Sequence, residues 1–225
     1  MFKPENFFDL TQFSHQHLFE VLENVWEVFH NIKPYLSDIN GEIKGTVMDG
    51  AFLLGDDIII GEGSVVEPGA YIKGPCIIGK NTEVRQGAYI RGNVIVGDGC
   101  VVGHATEIKH SIMLDGAKAG HFAYIGDSIL GNEVNLGAGT KLANLKITND
   151  QVVIIVDKAV HETGLRKLGA ILGDGVQTGC NTVTAPGTIV GKDSLIYSLS
   201  SIKGYIEPNR IVKLRQKQQT IVKNF

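Results

Sequence analysis

The stretch LDGAKAGHFAYIGD, residues 114 to 127, carries side chains well suited to chemistry. His121 stands among glycines at 116, 120 and 126, with Lys118 and Tyr124 close in sequence. An imidazole can take a proton, give one or ligate a metal. Glycines let a backbone or a ligand approach closely. Upstream, Lys73, Arg91 and Lys109 are spaced eighteen apart, each directly after an isoleucine (Ile72, Ile90, Ile108). If eighteen residues complete one turn of the chain, these cations form a column at about 4.8 Å per step. Like charges at that distance repel by roughly 1 kcal/mol even in a water-like dielectric. An anion lying against the column relieves that repulsion, so Arg91 and Lys109 are candidates for a phosphate site.

What must position these residues is a repeat. Counting in sixes back from Leu114 gives Ile108, Val102, Val96, Ile90, Val84, Ile78, Ile72, Val66, Ile60, Leu54 and Met48, and all twelve positions are apolar. Neither a helix nor a hairpin sheet has a period of six. A coil of three short strands does, each strand turning one aliphatic side chain inward before a corner. Stacked coils then bury a continuous core. By this count position 120 should be apolar, yet it is Gly, and Leu114 to Ile125 is eleven residues instead of twelve. The spacing predicts a displaced coil and a bent corner at His121. The period resumes at Leu130, Leu136 and Leu142, and again at Leu172, Thr178, Thr184, Val190, Ile196 and Ile202.

Three parts follow. Residues 1–41 read as an N-terminal helical segment. In SHQHLFEVLENVWEVFHNI, Ser14 is the expected N-cap, Leu18, Leu22, Val25 and Phe29 share one face, and Pro34 ends the helix. Residues 42–206 read as the coil, interrupted at 145–167 by LKITNDQVVIIVDKAVHETGLRK, where the period is lost. That excursion contains a strand-like QVVIIV and reads as a loop or hairpin leaving the coil to touch another subunit. Residues 207–225 form a basic, glycine-free tail, expected to be partly helical and solvated.

Composition narrows the function classes. The 28 glycines would suggest disorder in a chain poor in apolar residues, but 43% of this one is hydrophobic. A net charge of -3 argues against a nucleic-acid partner. Cys76, Cys100 and Cys180 are scattered and odd in number, which suits reduced thiols in a cytoplasmic protein. The N-terminus MFKPENFFDL lacks the apolar core of a signal peptide. No run reaches the ~18 apolar residues of a membrane span. The expectation is a soluble, cytoplasmic protein with no membrane partner.

The repeat resembles that of the hexapeptide-repeat acyltransferases, and SIMLDGAKAGHFAYIGDSILGNEVNLGAGT is similar to one branch of them. That branch is the acetyltransferase domain of N-acetylglucosamine-1-phosphate uridylyltransferase/glucosamine-1-phosphate acetyltransferase. The later ANLK and GLRKLGAILGDGVQTGCNTVTAPGTIVG resemble the archaeal-type sugar-1-phosphate enzymes more than the bacterial ones. The resemblance covers roughly residues 45 to 205. It implies an all-β, left-handed parallel β-helix of hexapeptide repeats with a short N-terminal helical segment, assembled as a homotrimer. It implies an acetyl-CoA-dependent transferase that acts on glucosamine-1-phosphate or galactosamine-1-phosphate in UDP-GlcNAc biosynthesis and needs no metal.

Residue by residue, the resemblance makes His121 the general base. Arg91 and Lys109 match phosphate ligands, Tyr124 and Asn135 match sugar or phosphate contacts, and Glu107 matches an acidic contact near the amine. Asn144 matches an asparagine near the base and the sugar. The backbone N–H of Ala138 matches the donor to the thioester carbonyl, and Cys180 and Ser198 match contacts to the CoA arm. The chain departs from the bacterial pattern at Asn144-Leu145, where Asn-Tyr is usual, and in the excursion after it. Lys146 is present, but Thr148, Asn149 and Asp150 follow. The 41 residues before the coil are too few for a nucleotidyltransferase domain, so none is expected in this chain. Two alternatives are a non-catalytic trimeric scaffold and a γ-carbonic-anhydrase-like zinc hydratase using His104 and His110. The second lacks the histidine spacing of that branch and a third ligand.

Overall fold

The computed structural model describes residues 1–223. Its body is a three-sided prism of parallel sheets. Nine strands form the first face, from Glu42–Ile43 to Tyr205–Ile206, and nine form the second, from Thr46–Val47 to Ile211–Val212. Eight form the third, from Phe52–Leu54 to Ser201–Ile202. Apart from a two-strand insertion after residue 145, successive strands of the chain fall on successive faces, and each pairs with the next strand on its own face. This is a parallel β-helix, all-β apart from the N-terminal segment.

The inward column explains the period of six. Ile60, Val66, Ile72, Ile78, Val84, Ile90, Val96, Val102 and Ile108 are fully buried in one axial core. In this region the register is eighteen residues, as in Ile60↔Ile78 and Ile72↔Ile90. The two ends of the sequence pattern are out of phase with the coil. Val47 and Leu53 pack on the core, whereas Met48 is 44% exposed and Leu54 51%. Met113 faces inward and Leu114 outward, where it is buried in a second, external cluster.

The irregularity therefore does not lie at position 120. One residue is missing from the step Ile108 to Met113, and a second from Ile125 to Leu130. Between them Ala119 fills the inward place, so Gly120 is simply the next residue out. From Val96↔Met113 onward the register is seventeen, as in Val102↔Ala119 and Ile108↔Ile125. The shortened corners turn at His110 (φ 43°) and Asp127 (φ 45°). The corner at His121 does bend, at Phe122 (φ 52°), and it is prolonged, because Val101–His104 and Lys118–His121 are four-residue strands paired to their ends.

The N-terminal segment covers the first face. Phe2, Phe7, Phe8, Phe13, Phe19, Trp26 and Phe29 pack with the outward Ile77, Ile95, Ile112, Ile129, Ile171 and Ile189. It is not the single helix expected over residues 14–33. Three 3₁₀ turns, Pro4–Asn6, Gln16–Phe19 and Val25–Val28, lead into one α-helix, Phe29–Ser37. Ser14 caps nothing; instead the Glu27 carboxylate accepts from the Asn24 backbone and side-chain N–H groups at 3.3 and 2.9 Å. Pro34 lies inside the helix. Its ring forfeits one backbone bond, and burial of Phe29, Ile32 and Leu36 offsets the loss. Adjacent buried pairs such as Leu18-Phe19 and Val25-Trp26 suit a chain wrapped round a flat face, not a one-sided helix.

The excursion is a hairpin, Val153–Val156 with Ala159–Glu162, and its first strand falls within QVVIIV as expected. It leaves the coil as a separate two-stranded antiparallel sheet and folds back against the outside of this same chain. Val152 and Ile154 are buried in the external cluster, and His161 packs edge-on to Phe2 with ring centroids 5.1 Å apart. Across the insertion the register jumps to forty-two residues, Leu130↔Leu172 and Leu136↔Thr178. The coil also runs past 206, since Ile211–Val212 pairs with Leu195–Ile196. Residues 213–223 of the tail contain no helix, and Asn224 and Phe225 lie outside the described residues. No helix is long and apolar enough to cross a membrane among the described residues.

Candidate active site

The corner between the second and third faces gathers one set of predicted residues. His104 is in register with His121. The Gly139 N–H donates to the His121 carbonyl at 3.0 Å, Asn181 to Ala138 at 2.8 Å, and Leu199 to Cys180 at 2.9 Å. His104, His121, Ala138, Cys180 and Ser198 are thus consecutive rungs of one corner column. Three rungs separate His121 from Ser198, about 14 Å at the spacing of paired strands. His121 and Cys180 are exposed. Among the described residues no acceptor is recorded for the Ala138 N–H. A shallow cavity of about 450 Å³ beside Ser198 is lined by Gln177, Gly179, Leu195, Tyr197 and Leu214. The Ala138 N–H lies one rung from the exposed His121, and the cavity begins at Ser198, two rungs further along the column.

The third face carries the second set. Tyr89, Glu107 and Tyr124 share one outward row. Lys73, Arg91 and Lys109 share the next row, as the spacing of eighteen requires. The column of cations exists, but each of the lower two is already paired. Arg91 Nη1 lies 2.7 Å from Glu107 Oε1, and Lys109 Nζ lies 2.8 Å from Asp127 Oδ2. The Arg91–Glu107 pair is solvated, with side chains 44% and 35% exposed, and such pairs add little stability. Its hydrogen bond to Glu107 holds the Arg91 pKa above its ordinary value. Glu107 therefore touches a cation in this structure. Tyr124 donates to Asn144 Oδ1 at 3.4 Å, and burial, with Glu107 and Asp127 adding, pushes the Tyr124 phenol up.

Two arrangements differ from the single cluster that the residue list suggests. Asn135 is exposed on the second face, in register with Lys118 and Gln177, and the corner separates it from Tyr124. His121 and the Arg91–Lys109 row stand at opposite edges of the third face. His104 and His110, considered above as metal ligands, occupy those same two opposite edges. His104 donates through Nδ1 to the Gln86 carbonyl at 2.8 Å, and His110 through Nδ1 to Asp127 at 2.9 Å. No group of three or more His, Cys, Asp or Glu is placed to hold a metal ion among the described residues.

Asp127 escaped the sequence reading. Its carboxylate is buried, 4% exposed, and accepts from Lys109, His110 and the Asn144 side-chain amide. Burial alone would push its pKa up, but the hydrogen bonds from His110, Lys109 and Asn144 outweigh burial and hold it at about 2. The only hint in the sequence was its position seventeen residues after His110, which becomes meaningful once the shortened register is known.

The fold and repeat define the class, a left-handed parallel β-helix of hexapeptide repeats. Among solved structures, the UDP-N-acetylglucosamine acyltransferase of Francisella novicida shares this fold with a TM-score of 0.54. The match covers 72% of this chain and 60% of that one at 17% identity. Within the class, the chain is similar to bifunctional sugar-1-phosphate proteins of archaea. The bifunctional protein GlmU of Methanococcus maripaludis is 39% identical over 191 residues, 83% of this chain and 45% of the relative. The bifunctional sugar-1-phosphate nucleotidylyltransferase/acetyltransferase of Sulfurisphaera tokodaii is 37% identical over 153 residues, 68% of this chain and 38% of the relative. A family model described as the GMPPB C-terminal domain matches residues 72–165. The chain spans less than half the length of these curated relatives.

Proposed function

We propose that the protein is an acetyl-CoA-dependent N-acetyltransferase for an amino-sugar 1-phosphate, glucosamine-1-phosphate or galactosamine-1-phosphate. One observation carries this reading: His121 and the free Ala138 N–H are neighbours on one corner, and the adjoining face carries the Arg91–Lys109 row. Arg91 and Lys109 bind the acceptor phosphate, Tyr124 and Glu107 line the space between them and His121, and Asn144 reaches Tyr124 from the Lys109 edge. His121 removes a proton from the acceptor amine as its nitrogen bonds the acetyl carbonyl carbon. Ala138 N–H stabilises the oxyanion, the C–S bond breaks, and the proton passes on to the departing thiolate. General-base help of this kind is worth roughly 10²–10⁴-fold, and one oxyanion donor about 10²–10³-fold. Cys180 and Ser198 flank the path of the CoA arm.

The split between faces has a simple resolution. Asn135 on the second face of one copy meets the third face of the next, which makes the working form a homotrimer with sites between copies. The exposed row Phe52, Tyr71 and Tyr89 on the third face gives that contact an apolar element. The test is thiol release from acetyl-CoA with a panel of amino-sugar phosphates, each acceptor alone as control. Acceptor-dependent release that disappears in His121→Ala, with the oligomer intact, is the expected result. An unchanged rate in that variant removes the base assignment, and no release from any acceptor removes the activity.

A further inference from the structure

The hub behind the third face is more elaborate than a phosphate site requires. We propose that Asp127 is a positioning residue for the acceptor: it fixes the Lys109 ammonium and the Asn144 amide, and it joins that corner to the N-terminal segment through His110. This rests on the reading above, in which Lys109 and Asn144 meet the acceptor.

The arrangement follows from the shortened corners. With one residue missing after Ile108, Lys109 pairs with Gly126, so His110 lies directly over Asp127; the second omission, after Ile125, brings Asn144 level with Asp127 in turn. Both residues have positive φ, which turns their side chains along the corner, and His110 Nδ1 reaches Asp127 Oδ1 at 2.9 Å. The other carboxylate oxygen takes both Lys109 and Asn144. A lysine is a flexible stem that loses much rotamer freedom when fixed. Paired with Asp127, Lys109 has given up that freedom before any ligand arrives, and its side chain is only 18% exposed against 44% for Arg91. The same contact orients Asn144. Because its Nδ2 is committed to Asp127, its Oδ1 is the end presented to Tyr124. His110 in turn packs on Phe29 at the start of the α-helix, with ring centroids 5.7 Å apart. Its Nε2 is buried without a partner among the described residues, so the ring is held by Asp127 and by packing alone.

Asp127→Asn keeps the shape but removes the charge, and an amide has one oxygen to offer three donors, so at least one of them is released. The experiment uses the full chain as wild type, Asp127→Asn and His110→Gln. Acceptor and acetyl-CoA KM values come from thiol release, inorganic phosphate affinity from calorimetry, and side-chain positions from a crystal structure of Asp127→Asn. Losing a charge-assisted bond should raise the acceptor KM about tenfold or more while the acetyl-CoA KM moves less than about twofold. His110→Gln should act in the same direction but less strongly, and Lys109 Nζ should swing away from position 127 in the Asp127→Asn crystal. An unchanged acceptor KM overturns the proposal. So does a joint rise of both KM values by similar factors, which marks a merely structural role. If wild type releases no thiol with any acceptor, the functional reading fails, and phosphate affinity then decides the placement separately. A loss of about tenfold in Asp127→Asn supports it, and equal affinity overturns it.

Discussion

At the scale of single residues, burial separates groups that the sequence lists side by side. The Asp127 carboxyl at about 2 lies below its ordinary value near 3.9, so its ionised form stabilises the fold above about pH 4. That contribution is lost as pH falls from about 4 towards 2. Asp127→Asn should be less stable than wild type at pH 7 by an amount on the order of 2 kcal/mol. Urea unfolding across the acid range should find the gap closing towards pH 2; a gap independent of pH contradicts the assignment. The three cysteines divide similarly. Burial pushes the Cys76 and Cys100 thiols up to about 12, while Cys180 is exposed. A thiol reagent should label one cysteine in the native protein and three after denaturation. The Arg91–Lys109 row was legible in the sequence, because a fixed period turns spacing directly into position. Asp127 was not, since its donors come from a register that shortens twice.

Elements test the coil and its cover separately. A Cβ on Gly103 would lie 1.8 Å from the Gly120 carbonyl oxygen, whereas one on Gly120 meets nothing within 4 Å. Gly103→Ala should therefore cost on the order of 3 kcal/mol, and Gly120→Ala should leave the melting temperature near that of wild type. Equal melting temperatures for the two variants would contradict the close pairing of the prolonged strands. The cover responds to acid. Burial, with His17 adding and Asp98 opposing, lowers the His15 pKa to about 4, and its Nδ1 lies 2.7 Å from the Tyr35 hydroxyl. Between about pH 6.5 and 4 the unfolded chain binds the extra proton, so stability falls as pH falls through that window. His15→Gln should flatten this slope, read by hydrogen exchange over residues 13–37. The sequence located the hairpin strand correctly, because Val and Ile runs favour strands wherever they pack. It misplaced the N-terminal helix, because the flat apolar face beneath that segment rewards a wrapped path over a regular one.

The whole molecule has one face sealed by its own N-terminus and two left open. A contact from the second face of one copy to the third face of the next is heterologous, and three such contacts close a ring. Sedimentation should give three times the chain mass of 24.3 kDa. Mixed oligomers of His121→Ala and Asn135→Ala should regain part of the activity, because some interfaces then carry both native residues. Mixtures as inactive as their parents would place the whole site within one chain.

The period of six by itself determined the three-sided coil, its core column and the stacked cations, because each depends only on residues recurring at equal intervals along one axis. Tertiary structure decided where that interval shortens, which partners the cations take and what covers the first face. Those depend on the register between coils and on packing across distances in sequence that no local pattern records.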